Sequence, residues 1–149
     1  MASVTVSDRE SLLREIKAAQ PGDTILLEPG VYSDISISNL KIVGDVTITS
    51  ADPTRPASFT DLTVRDSSGL NFSNLEFVVN PATSNAFKVL DSSDIHFDKL
   101  NIHGSLDGDP TNDSSALQIR GSSNVSVTNS EFQQLSNGIS HLDSDHITI

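Results

Sequence analysis

No cysteine occurs in the chain, so no disulfide framework holds it and no thiol chemistry is open to it. Tryptophan is also absent, aromatics make up 5% and hydrophobic residues 36%. That is little apolar material for a wide globular core in a chain of 149 residues, whose length is that of one domain. Basic residues are scarce: 9 Lys and Arg face 20 acidic residues, for a net charge of −11 and a pI near 4.4. No basic stripe offsets phosphate repulsion, so nucleic acid is excluded as a general partner. No apolar run is long enough to cross a membrane. No cleavable leader follows Met1. The acidic, cysteine-free composition nevertheless suits a secreted, extracellular bacterial protein.

What the chain does contain is one frame written repeatedly. An apolar-x-apolar triplet, a two-residue polar turn and a second such triplet read Ile35-Ser36-Ile37-Ser38-Asn39-Leu40-Lys41-Ile42. The frame returns as Leu70-Asn71-Phe72-Ser73-Asn74-Leu75-Glu76-Phe77, then as Ile95-His96-Phe97-Asp98-Lys99-Leu100-Asn101-Ile102. A fourth copy is Val125-Ser126-Val127-Thr128-Asn129-Ser130-Glu131-Phe132, and a fifth begins at Ile147-Thr148-Ile149. Alternation of apolar and polar residues is the period of a strand with one buried face. A further strand precedes each later copy: Leu62-Thr63-Val64-Arg65, Phe87-Lys88-Val89-Leu90 and Leu117-Gln118-Ile119-Arg120. A Ser-rich turn joins it to the frame.

A supersecondary unit repeated at this length is the mark of a solenoid. The expectation is an all-β right-handed parallel β-helix of about four to five coils. Its inward columns would be Ile35, Leu70, Ile95, Val125 and Ile147, and Ile42, Phe77, Ile102 and Phe132. An antiparallel sandwich would want Asn-Gly or Asp-Gly at the tight corners, and those corners lack them. Ser67, Ser92, Ser122, Asn74 and Asn129 in the turns would stack as structural hydrogen-bond ladders. Ser7-Asp8-Arg9-Glu10 reads as a capping box, with Ser7 at the N-cap. Leu12, Leu13, Ile16 and Ala19 follow on one helical face, and Pro21-Gly22 stops the helix. The single domain over 1–149 therefore divides into a capping helix at 7–20 and coils at 24–149. The last coil is expected to be truncated or open, covered by further coils or by a second copy in a homodimer.

From Ser11 to about Phe77 the chain resembles polysaccharide lyase family six, the alginate lyases and chondroitinase B. The resemblance is carried by Leu12-Leu13-Arg14-Glu15-Ile16-Lys17-Ala18-Ala19-Gln20-Pro21-Gly22-Asp23-Thr24-Ile25, by Glu28-Pro29-Gly30-Val31-Tyr32-Ser33-Asp34-Ile35 and by Val46-Thr47-Ile48-Thr49-Ser50-Ala51. It implies a β-helix directed at acidic polysaccharide. In such lyases a Lys and an Arg act as base and acid, and calcium held by Asn and Glu neutralises the substrate carboxylate. No matching motif occurs in this chain, nor the Asp-Pro-His-Glu run of the epimerases, so no family residue is carried over.

The residues offer three constellations of their own. If Val64, Val89 and Ile119 point inward, Arg65, Lys88 and Arg120 lie on one outer face and could bind glycan carboxylates. The alternative is scattered charge paired with Asp66 and Asp91. Asp107, Asp109 and Asp113 in the loop from Gly104 to Asp113 could supply oxygen ligands to Ca²⁺, or form a polar surface loop. His141, Asp143 and His146 form the densest titratable cluster and could serve proton abstraction. His141 could instead continue the inward column of Val89 and Ile119, with His146 in a turn equivalent to Asn124. His96 and His103 are expected on the surface. The functional expectation is a lyase- or epimerase-like module for uronic-acid glycans such as alginate, abstracting the proton at C5. The alternatives are a non-catalytic glycan-binding β-helix and an assembly module joined through its last coil.

Overall fold

Alternating inward and outward residues wind the chain into three parallel sheets. The computed structural model describes residues 2–80, 85–106, 108, 109, 111 and 113–149. In chain order the first elements are β1 (Ser3–Val6), α1 (Arg9–Ala18), β2 (Thr24–Leu27), β3 (Val31–Tyr32), β4 (Ser36–Ser38), β5 (Lys41–Ser50), β6 (Ser58–Phe59) and β7 (Leu62–Arg65). Then come β8 (Ser68–Ser73), β9 (Glu76–Val78), β10 (Phe87–Leu90), β11 (Ser93–Asp98) and β12 (Asn101–His103). The last are β13 (Ser115–Arg120), β14 (Ser123–Thr128), β15 (Glu131–Gln133), β16 (Asn137–Leu142) and β17 (Asp145–Thr148). The first sheet runs β1-β2-β5-β8-β11-β14-β17, the second β3-β6-β9-β12-β15 and the third β4-β7-β10-β13-β16. Each coil passes through the sheets in that order, giving a right-handed β-helix of about six turns.

The coil count exceeds four to five because β1 and β2 add first-sheet strands below the expected column, and the first frame lies one sheet out of step with the later ones. Ile37 pairs with Val64 in the third sheet, not with Phe72. Val46 takes the place expected for Ile35 beneath Leu70, and the column then continues through Ile95, Val125 and Ile147. Phe59, with Tyr32 below it, takes the place expected for Ile42 beneath Phe77. All three sheets carry the same period-two alternation, so a frame can be matched to the wrong sheet without violating it. A bulge hides the error: the β5–β8 register jumps between Lys41 and Val46. Gly69, at φ +81, lies over that bulge, where a Cβ would come within 2.5 Å of the Ile42 and Gly44 carbonyl oxygens.

The core is a narrow column of aliphatic side chains with aromatic stacks. Tyr32, Phe59 and Phe77 stack with centroids 5.8 and 5.7 Å apart, and Phe77 lies 4.3 Å from Phe87. Phe72 and Phe97 stack at 5.3 Å in the first sheet's column. At the final coil the inward positions open: Ile139 and Ile147 are half-buried and Ile149 is 70% exposed.

The N-terminus is capped, though one residue later than expected. Asp8, not Ser7, is the N-cap, and Ser11, not Glu10, completes the box. Asp8 Oδ1 accepts from the Ser11 backbone N–H at 2.8 Å, and the Asp8 N–H donates to Ser11 Oγ at 3.4 Å. In this box a carboxylate meets the positive end of the helix. Leu12 and Ile16 bury against the first coil, as their spacing requires. Beneath β2, β1 adds a strand that the repeat did not announce.

The corner from third to first sheet holds a serine ladder. Ser67, Ser92 and Ser122 are buried, with Ser144 stacked above them. Each hydroxyl donates to the carbonyl two residues back, those of Arg65, Leu90, Arg120 and Leu142, at 2.7 to 2.9 Å. Each accepts from the backbone N–H one coil below, those of Leu40, Ser67, Ser92 and Ser122, at 3.1 to 3.2 Å. The preceding residues Asn39, Asp66, Asp91, Gly121 and Asp143 take left-handed φ values of 48 to 59° to turn the corner. A Cβ at Gly121 would meet the Asp91 carboxylate at 2.5 Å.

Two predictions follow from these devices. Ser92→Ala strips the buried Ser67 N–H of its acceptor, which costs about 1–3 kcal/mol. A thermal melt should register a fall of roughly 2–10 °C for a chain of this size. The second concerns acid. Hydrogen bonds from the Ser11 side chain and backbone hold the Asp8 carboxyl below its ordinary 3.8, and those from the Gln20 and Ala2 backbones do the same for Asp23. A lowered folded-state value means stabilisation that is present above pH 3.8 and lost as pH falls through the lower value. Hydrogen-exchange protection at the Ser11, Gln20 and Ala2 amides, relative to the intrinsic rate at each pH, should therefore fall in that acid window before the core strands open.

Candidate functional site

The outer face of the third sheet gathers the cations. Leu62 and Val64, Phe87 and Val89, and Leu117 and Ile119 are buried, so the residues between and after them project outward. The register sets Arg65, Leu90 and Arg120 in one column, between Ser38 below and Leu142 above. Lys88 stands in the neighbouring column with Ser36, Thr63, Gln118 and Ser140. Coils repeat at about 4.8 Å, so Arg65 and Arg120, two coils apart, are separated by roughly 10 Å along the axis. Arg65 and Arg120 are exposed and Lys88 is half-buried.

A fourth cation joins them from the cap. Arg9 opens α1 and donates from Nε to the Asp34 carbonyl at 3.0 Å. Arg9 and Lys88 line one shallow depression of about 410 Å³ with Ser36, Thr63, Asp34 and Asp61. Asp61 spends Oδ1 on the Ile35 backbone N–H at 3.1 Å. Arg9 was not among the sequence candidates, yet it carried a signal. A cation in the first turn of a helix opposes the macrodipole, so its placement wants another reason. Among the described residues no carboxylate lies within 4.0 Å of Arg9, Arg65, Lys88 or Arg120. The expected partners Asp66 and Asp91 occupy the left-handed corner instead.

The other constellations are dispersed. His141 pairs with Ile119 and so continues the inward column of the third sheet, at its open end. Asp143 sits at the corner, with φ 50°. His146 occupies the left-handed turn position shared with Gly69, Asp94 and Asn124, and its Nδ1 lies 3.6 Å from Asp145. The fold thus assigns the three to different structural columns. In the loop, Asp107 lies outside the described residues. Asp109 accepts from Thr111 N and Oγ1 at 3.0 and 2.7 Å, closing a local turn. Among the described residues, one shielded oxygen of Asp113 has no hydrogen-bond partner. Among the described residues no three His, Cys, Asp or Glu side chains converge to hold a metal.

The two remaining histidines are half-buried on strand faces rather than fully exposed. His96 Nδ1 lies 2.7 Å from Ser126 Oγ in the coil above. His103 Nε2 lies 3.6 Å from Glu76, and its Nδ1 is 3.0 Å from the Gly104 carbonyl.

No protein-family model matches the chain, and no curated protein matches it. Two solved structures are similar to it. An alginate lyase from Paenibacillus sp. str. FPU-7 superposes with a TM-score of 0.50 at 14% identity, covering 96% of this chain and 75% of that one. A protein from Parabacteroides merdae ATCC 43184, provisionally classed as a glycosyl hydrolase, gives 0.49 at 11% identity over 99% and 76%. The structure therefore resembles the β-helices of polysaccharide lyases, as the opening segment implied. At these identities the likeness is one of fold.

The Arg9 geometry yields a separable test. Arg9→Glu loses a hydrogen bond to Asp34 of about 0.5–1.5 kcal/mol and gains about 0.3–1 kcal/mol from the helix dipole. The melting temperature should therefore move by no more than a few degrees.

Proposed function

We propose that this chain is a polysaccharide-directed β-helix module that holds a uronic-acid glycan such as alginate against the outer face of the third sheet. The observation that carries the reading is the set Arg9, Arg65, Lys88 and Arg120 on one face of a protein of net charge −11, with no carboxylate within 4.0 Å among the described residues. An acidic protein has carboxylates enough to neutralise its cations. Cations left facing solvent side by side suit an anionic ligand, and arginine engages a carboxylate through two parallel N–H donors. The β-helix shared with an alginate lyase supports the same class of ligand.

The energetics decide what kind of binding this is. Each exposed ion pair contributes about 0.2–1 kcal/mol. Four such contacts would give only weak affinity for a single sugar residue. A polymer that engages several coils at once gains through effective concentration, so the module holds long chains far better than short ones. The Debye length in physiological salt is about 8 Å, which screens the cations from one another and makes binding salt-sensitive. A glycan of this kind lies outside the cell, and the protein would act there.

A lyase or epimerase also needs a base at C5 of the bound uronate, and neither His141 nor His146 projects from this face. Holding the glycan needs only the cations of this face; cleaving it would also need one of them, such as Lys88, to act as the base. Calorimetry with polymeric alginate should show binding that weakens as salt is raised. R65A/R120A should weaken it about tenfold, the loss expected for two contacts of about 0.7 kcal/mol each. Unchanged affinity in the double variant would remove the reading. Ultraviolet absorbance of unsaturated uronate, measured with and without Ca²⁺, tests cleavage directly: steady product would make the module a lyase.

A further inference from the structure

The loop after β5 and the corner beside it take no part in the cation face. That loop is built as a rigid wall. Asp52 accepts from Thr54 N at 3.0 Å, Thr54 Oγ1 at 2.6 Å and Arg55 Nε at 3.1 Å. Pro53 and Pro56 fix the backbone on either side of that knot. The two proline rings line a groove of about 260 Å³ at the corner between the first and second sheets.

The floor of the groove is a ladder along the solenoid axis. Ser73, Asp98 and Thr128 are in register, so the next residues, Asn74, Lys99 and Asn129, stack one coil apart. All three adopt left-handed φ values of 52 to 55° at this corner. A second column, Glu76, Asn101 and Glu131, runs beside them. Between the columns Leu75 and Leu100 are buried and close the floor. Asn129 Nδ2 donates to Asp98 at 2.7 Å, which fixes the amide. Polar groups thus recur about every 4.8 Å along the groove, beside two apolar ring faces.

The chemistry selects the ligand. Amides, an ammonium and a carboxylate supply both donors and acceptors, while the prolines supply a surface for C–H groups. Lys99 and Glu131 cancel in charge, and Asp98 stands close by, so an anionic sugar or phosphate gains nothing here. Among the described residues the groove lacks three ligands for a metal. We propose that this groove binds an uncharged, extended oligosaccharide, its hydroxyls bonded to Asn101, Asn129 and Glu131 and one ring lying against Pro53 and Pro56. The module then carries two glycan sites on different sides of one prism: a cationic face for uronates and a neutral groove.

The test uses the full chain with cellotetraose and, separately, β-1,4-mannotetraose as probes. Titration of either should shift the side-chain amide resonances of Asn101 and Asn129. N101A/E131A should weaken binding about tenfold, the loss expected for two hydrogen bonds, and P53A/P56A provides a second variant that leaves the corner ladder intact. R65A/R120A should leave these shifts unchanged, whatever becomes of its alginate binding, so the two sites fail or stand separately. No amide shift with either tetrasaccharide at millimolar concentration would overturn the proposal. So would shifts produced only by an oligouronate, or a loss of binding in R65A/R120A equal to that in N101A/E131A.

Discussion

Between the first and last coils, every described strand finds its hydrogen-bond partners in the coil above and the coil below. That single constraint governs the rest. Coils stacked at about 4.8 Å must present matching inward volumes and matching corners, or the ladder breaks. The aromatic stack of Tyr32, Phe59 and Phe77 meets the first condition with one ring above another. The serine ladder meets the second. Its hydroxyls accept from buried N–H groups that no strand can reach, and donate to the carbonyls at the end of the preceding strand. At the first-to-second corner Ser130 repeats the device, accepting from Leu100 N at 3.1 Å and donating to the Thr128 carbonyl at 2.8 Å.

The same stacking converts short-range alternation into functional geometry. A residue that projects from one coil stands directly beside its equivalents from the neighbouring coils, however far apart they are in sequence. Arg65 and Arg120 share a column for this reason, and Asn74, Lys99 and Asn129 share another. Each column offers side chains at a fixed axial spacing, which suits a ligand that is itself a linear repeat. The inserted loop at 51–56 breaks that uniformity at one corner and, held by Asp52, turns an open edge into a groove.

The places where local reading went astray share one cause. Ile35-Ser36-Ile37 alternates as any strand does, and nothing within it says which of three sheets it joins. It joins the third sheet, and the bulge between Lys41 and Val46 then brings Val46, not Ile42, beneath Leu70. At the cap, Ser7-Glu10 and Asp8-Ser11 are both acceptable boxes, and the second formed. His141 stands in the inward register beside Ile119, one of the two places its sequence allowed. In each case the local rule was satisfied twice, and long-range pairing chose between the solutions.

The sequence by itself determined the class of fold, the inward and outward halves of almost every strand, the capping helix and the common face of Arg65, Lys88 and Arg120. These depend on a period of two or on spacing within a single turn, which are local properties of a chain. Only the tertiary structure decided the register of the first coils and the dispersal of His141, Asp143 and His146. It alone brought Arg9 beside Lys88 and set Pro53 against Asn101. Those depend on how many residues each connection takes up before the next strand begins. A loop tolerates added length at small free-energy cost, so its length leaves no periodic trace from which neighbours in space could be read.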